Sequence, residues 1–166
     1  MTDVAETALQ LRNGLRRLAK AVVVITCKHQ GSRYAMAATA VSELSLDPPS
    51  LLICVNRTAS LFTPLAEGAH FCVNILRSDQ HEISAACSGK AKGEARFGVG
   101  DWAEARHGLP VLRDAQASFL CRNEQAFDYG THRVVIGRVE EVLTAGPVDP
   151  LVYADGCYLQ LGQVIS

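Results

Sequence analysis

The segment Ala35-Met36-Ala37-Ala38-Thr39-Ala40-Val41-Ser42-Glu43-Leu44-Ser45-Leu46-Asp47-Pro48-Pro49 runs directly into an apolar stretch, Leu51–Val55. Ala37, Ala38, Thr39, Ala40 and Ser42 are all small. Small side chains let a flat ligand approach the backbone, so that main-chain N–H and C=O groups recognise it directly. The Pro48-Pro49 pair fixes two φ angles and removes two donors, which sets a rigid corner before the next strand. By residue type alone the segment is a strand, a loop and another strand, and a ligand is optional.

Outward from this segment, strands dominate. Val22–Thr26 is apolar and β-branched, and His29-Gln30-Gly31-Ser32 is a turn leading into a second strand around Tyr34–Ala40. Leu51–Val55 and Phe71–Leu76 are further buried strands, while Ala115–Arg122 and His132–Leu143 are long ones. Leu151–Ala154 and Cys157–Leu161 form a closing hairpin across Asp155-Gly156. Helical signals are few. Leu11, Leu15 and Leu18 recur at i, i+4, i+7 among arginines, which predicts an amphipathic opening helix over about residues 5–20. Thr63-Pro64 starts a short helix that ends at Gly68. Asp79 with Glu82 has the spacing of a capping box for a helix closed by Gly89. Lys90–Gly100 is glycine-rich and basic, hence a loop. Strands joined by turns rather than helices predict a mainly β, antiparallel barrel over about residues 21–162, within a single domain spanning 1–166.

Composition narrows the function. A 48% apolar and 20% charged chain is an ordinary globule, and a net charge of −1 gives no footprint for nucleic acid or anionic membrane. The first thirteen residues hold no uninterrupted apolar run, so a cytoplasmic protein is expected. Cys27, Cys54, Cys72, Cys87, Cys121 and Cys157 contain no Cys-x-x-Cys pair, and the five histidines add no metal-ligand spacing. Structural free thiols and no metal are the expectation. There is no Gly-x-Gly-x-x-Gly after a strand and no Walker-type loop, so any nucleotide is bound without a Rossmann device.

The Ala35–Pro49 segment is followed in order by five further pieces: Asn56-Arg57-Thr58-Ala59-Ser60, Phe71-Cys72-Val73-Asn74-Ile75-Leu76, Arg96-Phe97, Gly130-Thr131-His132 and Pro150-Leu151-Val152-Tyr153. Together they resemble the short-chain NAD(P)H:flavin oxidoreductases, and the similarity extends from about Leu15 to Leu161. The resemblance implies a Greek-key split β-barrel with a few short helices. It implies reduction of free FMN, or FAD, by NADH or NADPH, and release of the dihydroflavin to a separate monooxygenase. It also implies a homodimer with flavin beside the dimer contact.

Residue by residue, the resemblance assigns the ring slot to Ala38, Thr39, Ala40, Val41 and Ser42, with Ser45 and Leu46. It assigns the ribityl chain and phosphate to Asn56, Arg57, Ser60, Arg96 and Phe97, with Lys92 beside them. Cations suit a phosphate because charge-assisted bonds to its oxygens are short and strong. His132 falls where the family keeps its histidine near the nicotinamide, and is the candidate catalytic residue. Several positions depart from the pattern: Ala35 replaces a Gly, Ala37 a Thr, Thr39 an Asn and Ala40 a Ser, while Thr131 stands where an Asp is usual. The slot stays small but loses polar side chains, so backbone contacts carry more of the recognition. Without an acidic neighbour, His132 positions a ligand rather than donating a proton. Two rivals remain: a split-barrel electron carrier that keeps its flavin, and an oxidase of the pyridoxamine-phosphate type. Arg33, Arg57 and Arg133 are all candidates for a nicotinamide 2′-phosphate.

Overall fold

The computed structural model describes residues 3–163, so the outermost ends of the expected 1–166 domain lie outside the described residues. The described residues hold twelve strands and three α-helices, with three short 3₁₀ or π turns between them. The first helix, α1 (Val4–Leu15), begins at Asp3, whose carboxylate accepts a hydrogen bond from the Ala5 N–H at 3.2 Å. It stops well short of residue 20. Arg16 ends it by turning both its carbonyl and its guanidinium onto Asp155. No residue of α1 is buried, and its leucine stripe is uncovered in the single chain.

Next come β1 (Lys20–Ala21), β2 (Val23–His29), β3 (Ser32–Ala38), β4 (Val41–Leu46) and β5 (Pro49–Asn56). Helix α2 (Phe62–Ala66) and β6 (Phe71–Ile75) follow, then α3 (His81–Ala85) and the short hairpin β7 (Trp102–Glu104) and β8 (Pro110–Leu112). The chain finishes with the long hairpin β9 (Ala117–Tyr129) and β10 (His132–Thr144), and the short one β11 (Val152–Ala154) and β12 (Cys157–Leu159).

Seven strands form one antiparallel sheet in the order β3-β2-β6-β9-β10-β5-β4. Its two edge strands, β3 and β4, are consecutive in sequence and joined only by Thr39 and Ala40. Two residues span less than about 10 Å even when extended, so the sheet curls until its edges nearly meet. The edges do not pair. The fold is therefore a split barrel, as the strand pattern and the resemblance predict. A second sheet, β1-β11-β12, joins the start of the barrel chain to its final hairpin.

Strand β2 explains its own continuous apolar run. Val23 and Ile25 face the barrel interior with Phe71, Ile53 and Val135, while Val22 and Val24 face a second core with Leu76, Phe97 and Leu112. A strand covered on both faces needs no polar alternation. Gly137 on β10 is required by packing, because a Cβ there would strike the Phe71 ring and the Cys121 Cβ. Bulges at Ile136/Gly137 and Val139/Glu141 bend the long hairpin around the barrel.

Several local expectations are corrected. The second strand ends at Ala38 rather than Ala40, and Val41–Leu46 pairs with β5 as a full strand. The first long strand extends to Tyr129, seven residues past the expected end at Arg122. The β7–β8 hairpin was not foreseen, because three-residue strands give too short a pattern. The Asp79–Glu82 capping box does not form: Asp79 is held by Arg77 through two bonds of 2.8 and 2.9 Å, and Gln80 takes the N-cap position. Likewise, Leu61 rather than Thr63 precedes α2. Within the Lys90–Gly100 loop lies a 3₁₀ turn, Gly93–Gly98.

A fully buried amide ties the layers together. Asn74 on β6 donates to the Val24 carbonyl at 3.0 Å, and its Oδ1 accepts from Leu112 N–H at 3.0 Å and Ser118 Oγ at 2.9 Å. Four strands (β2, β6, β8, β9) thus share one side chain. Asn74→Leu keeps the volume but strands buried donors, so it is expected to lower unfolding free energy by about 2–4 kcal/mol in urea titrations.

Candidate functional site

The split between β3 and β4 leaves one edge of β3 without a strand partner. Such an edge presents free main-chain donors and acceptors. Arg96 Nη1 donates to the Ala35 carbonyl on this edge. In an antiparallel strand these groups alternate sides every residue, so the N–H and C=O of Ala37 also point into the split. Small side chains at Ala37, Ala38 and Thr39 leave that edge accessible, and all three line a cavity of about 350 Å³.

Arg96 is fixed by neutral partners: Ala35 O, Ser60 Oγ at 3.0 Å and, through Nε, Ala91 O at 3.1 Å. It is half-buried, and among the described residues no carboxylate pairs with it. Neighbouring Arg33 differs, being paired with Glu94 and lying 4.2 Å from the Phe97 ring centroid. Phe97 is buried in the second core, with Trp102 edge-on at 5.2 Å, and so anchors the Arg96 turn from behind. Lys92 is exposed. A positive charge held by carbonyl and hydroxyl oxygens, with no carboxylate partner among the described residues, has the chemistry to pair with an anion.

Ser60 ends the turn that follows β5. Asn56 Oδ1 accepts from the Thr58 N–H and hydroxyl, each at 2.9 Å, which shapes this turn. His132 lies directly opposite Asn56 across the β5–β10 pairing, and the Arg57 N–H donates to the Thr131 carbonyl at 3.0 Å. The hydroxyl of Thr131 hydrogen-bonds His132 Nδ1 at 2.9 Å, so that ring nitrogen is already engaged. One contiguous chain of contacts therefore joins Ala35, Arg96, Ser60, the Asn56 turn and His132.

Beside it, Arg57 and Arg133 converge on Asp128 at 3.3 and 2.7 Å. The Arg133 hydrogen bond is the main influence holding the Asp128 carboxyl below its ordinary range; desolvation opposes it, and the charges of Arg133 and then Arg57 add lesser pulls downward. Asp128 is a carboxylate that the sequence reading missed. Its sequence signal was only a short-range charge spacing, Asp128 five residues before Arg133.

The proposed ring-slot residues divide between two places. Ala38 and Thr39 border the split and its cavity. Ala40, Val41, Ser42, Ser45 and Leu46 instead line a separate cleft of about 860 Å³, with Thr39 at the boundary between the two. The larger cleft is mostly apolar, walled by β4, β5 and Leu18–Ala21. In it Ser42 Oγ is spent on the Glu43 carbonyl and Ser45 Oγ on the Asp47 N–H.

All six cysteines are free thiols. Burial pushes Cys27 and Cys121 up to about 12 and Cys87 to about 11, and raises Cys72 as well. These are inert core groups rather than nucleophiles. Among the described residues no three His, Cys, Asp or Glu side chains gather as a metal site.

A split antiparallel barrel with an uncompensated cation beside an open strand edge is the architecture of a flavin-nucleotide-binding protein. The chain belongs to the flavin reductase like domain family, whose model matches residues 15–162. It is similar to FMN reductase (NADH) RutF of Methylorubrum populi, 38% identical over 90% of this chain and 74% of that protein. RutF of Agrobacterium fabrum is 37% identical over 95% of this chain and 91% of its own length. Among solved structures, flavin reductase PheA2 in its native state superposes with a TM-score of 0.84 at 30% identity, covering 93% of this chain and 98% of that one. BorF, the flavin reductase component of a bacterial two-component tryptophan halogenase, gives 0.85 at 30% identity, over 95% and 99%.

Arg96→Ala tests the anion receptor. It is expected to weaken FMN binding by about 1.5–3 kcal/mol, roughly ten- to a hundredfold, and to leave riboflavin nearly unchanged. Titration of the two flavins in parallel gives the comparison, and equal losses for both exclude phosphate pairing.

Proposed function

We propose that this chain is an NADH-dependent flavin reductase that reduces FMN and passes the reduced flavin to a separate oxygenase. The observation that carries the reading is Arg96, a cation without a carboxylate partner beside the open edge of β3. Three extended residues separate Ala35, where Arg96 is anchored, from Ala38 at the cavity. That is about 10 Å, a span suited to the ribityl phosphate between ring and cation.

When bound, the flavin supplies the acceptor for the nicotinamide hydride. The chain's part is to bind and orient. Arg96 and Ser60 hold the phosphate, and the Ala37 main chain offers a donor and an acceptor to the ring edge. His132, paired opposite Asn56 at the start of β10, positions the nicotinamide. Arg33 is paired with Glu94, whereas Arg57 and Arg133 share the single carboxylate of Asp128, so the choice of NADH rests on the relatives and not on a lack of cations. The curated relatives named FMN reductase (NADH) support both cofactor choices, with FAD the second flavin. BorF, a component of a two-component system, supports a partner oxygenase. Six free thiols suit the reducing cytoplasm.

The homodimer is part of the same proposal. Leu9, Leu11, Leu15 and Leu18 are exposed, as are Phe127, Tyr129 and Leu46, the last at 93%. An uncovered apolar surface of this extent marks an interface, and a two-fold copy of the chain is its commonest cover. Light scattering on an active sample is expected to give the mass of two chains; one chain would remove the dimer.

Anaerobic mixing of the protein with NADH and FMN is expected to bleach the flavin absorbance over many turnovers. No bleaching, with flavin retained through desalting, favours the electron-carrier alternative. His132→Ala is expected to raise KM for NADH several-fold more than KM for FMN and to keep measurable kcat. A folded, flavin-binding variant that is dead at saturating NADH restores a chemical role to the imidazole.

A further inference from the structure

The cavity of about 350 Å³ at the split has two unlike walls. One is the strand end Ala37-Ala38-Thr39, whose side chains are too small to obstruct the backbone. Facing it are Tyr153 on β11 and Tyr158 on β12, two rings in edge-to-face contact at 5.5 Å between centroids. The family resemblance drew attention to Tyr153 only as part of a strand, and Tyr158 carried no functional reading.

The second wall is built rather than accidental. The hydroxyls of Tyr158 and Ser84 hydrogen-bond at 2.9 Å, and Ser84 is itself buried at the end of α3. The hairpin that carries both tyrosines is clamped at its turn. Arg16 Nε donates to Asp155 Oδ1 at 2.9 Å, and the Asp155 N–H donates to the Arg16 carbonyl at 2.8 Å. At its base, Leu151 N–H donates to the Leu76 carbonyl at 2.8 Å. Both rings nevertheless keep part of their surface open, Tyr153 at 38% and Tyr158 at 42%. An aromatic pair fixed in this way and partly uncovered, opposite a main-chain wall of small residues, offers a surface for a flat ligand. The cavity's volume lies in the range of small-molecule pockets.

We propose that Tyr153 and Tyr158 form the aromatic wall against which the flavin's isoalloxazine ring packs, with Tyr158 held in register by Ser84. This rests on the flavin reductase reading and adds to it the residues that select a flat, fused-ring ligand. The arrangement separates two recognition tasks. Arg96 and Ser60 read the phosphate, while the tyrosine wall reads the ring and is indifferent to the chain attached to it.

The experiment uses the full chain and three probes: FMN, riboflavin, and lumiflavin, which keeps the ring but lacks the ribityl phosphate. Binding is followed by quenching of flavin fluorescence. Tyr158→Leu is expected to weaken all three probes alike, by about three- to tenfold, and to relieve part of the quenching. Tyr158→Phe keeps the ring but loses the tie to Ser84, so a smaller loss with quenching retained is expected. Should Tyr158→Leu fail to fold, the same readings on Tyr158→Phe and Tyr153→Leu decide the matter. Unchanged affinity and quenching in folded variants overturn the proposal, as does a defect confined to KM for NADH. In either case Arg96→Ala still weakens FMN alone if the flavin reductase reading stands. A wild-type chain that binds none of the three probes removes both.

Discussion

Thr39 and Ala40, the two-residue link between β3 and β4, constrain everything else in this structure. They join strands at opposite ends of a seven-stranded sheet, so the sheet must roll up to satisfy them. The two edges are brought together by this link yet do not pair, since each strand keeps its partner on the other side, β2 for β3 and β5 for β4. The result is a barrel with one permanent opening, lined by small residues and unpaired main chain. Binding site and fold closure are thus one feature. A longer link would relax the barrel and the site together.

Charge distribution follows the same geometry. Most arginines on this chain are neutralised by a nearby carboxylate, as at Arg16, Arg57, Arg77, Arg133 and Arg138. Exposed pairs of this kind contribute little to stability. Arg96 differs in having no carboxylate partner among the described residues, which is why it is the proposed phosphate ligand. Its fixed position comes from the buried Phe97 beside it and from the Ala35 carbonyl, not from a counterion.

Sequence pattern revealed the elements whose signal is local and strong. The β-branched run of β2, the turn before β3 and the closing hairpin are read directly from residue type. Features that depend on a remote partner were hidden. Asp79 has the spacing of a cap, yet Arg77 claims it. The leucine stripe of α1 suggested a longer helix, but Arg16 leaves the helix to meet Asp155, 139 positions away. Asn74 was visible only as one member of a family motif, since no rule of spacing identifies a buried amide shared by four strands. In the site, Arg96, Ser60, Asn56 and His132 come together from four segments, whereas the segment Ala38–Leu46, continuous in sequence, parts between two cavities. Residues of β4 line the larger cleft together with β5, and small size alone does not reveal that placement.

The small sheet formed by β1, β11 and β12 gives the molecule a built-in order of assembly. Residues Ala37–Thr39 and Ser84 leave the ribosome long before Tyr153 and Tyr158, and β11 cannot pair until it reaches back to Lys20 and Ala21. Until then the barrel can close while the split still lacks its aromatic wall. A nascent chain in that state offers an anion receptor but no complete slot. On the proposed reading, competence to hold a flat ring is therefore the last property the chain acquires.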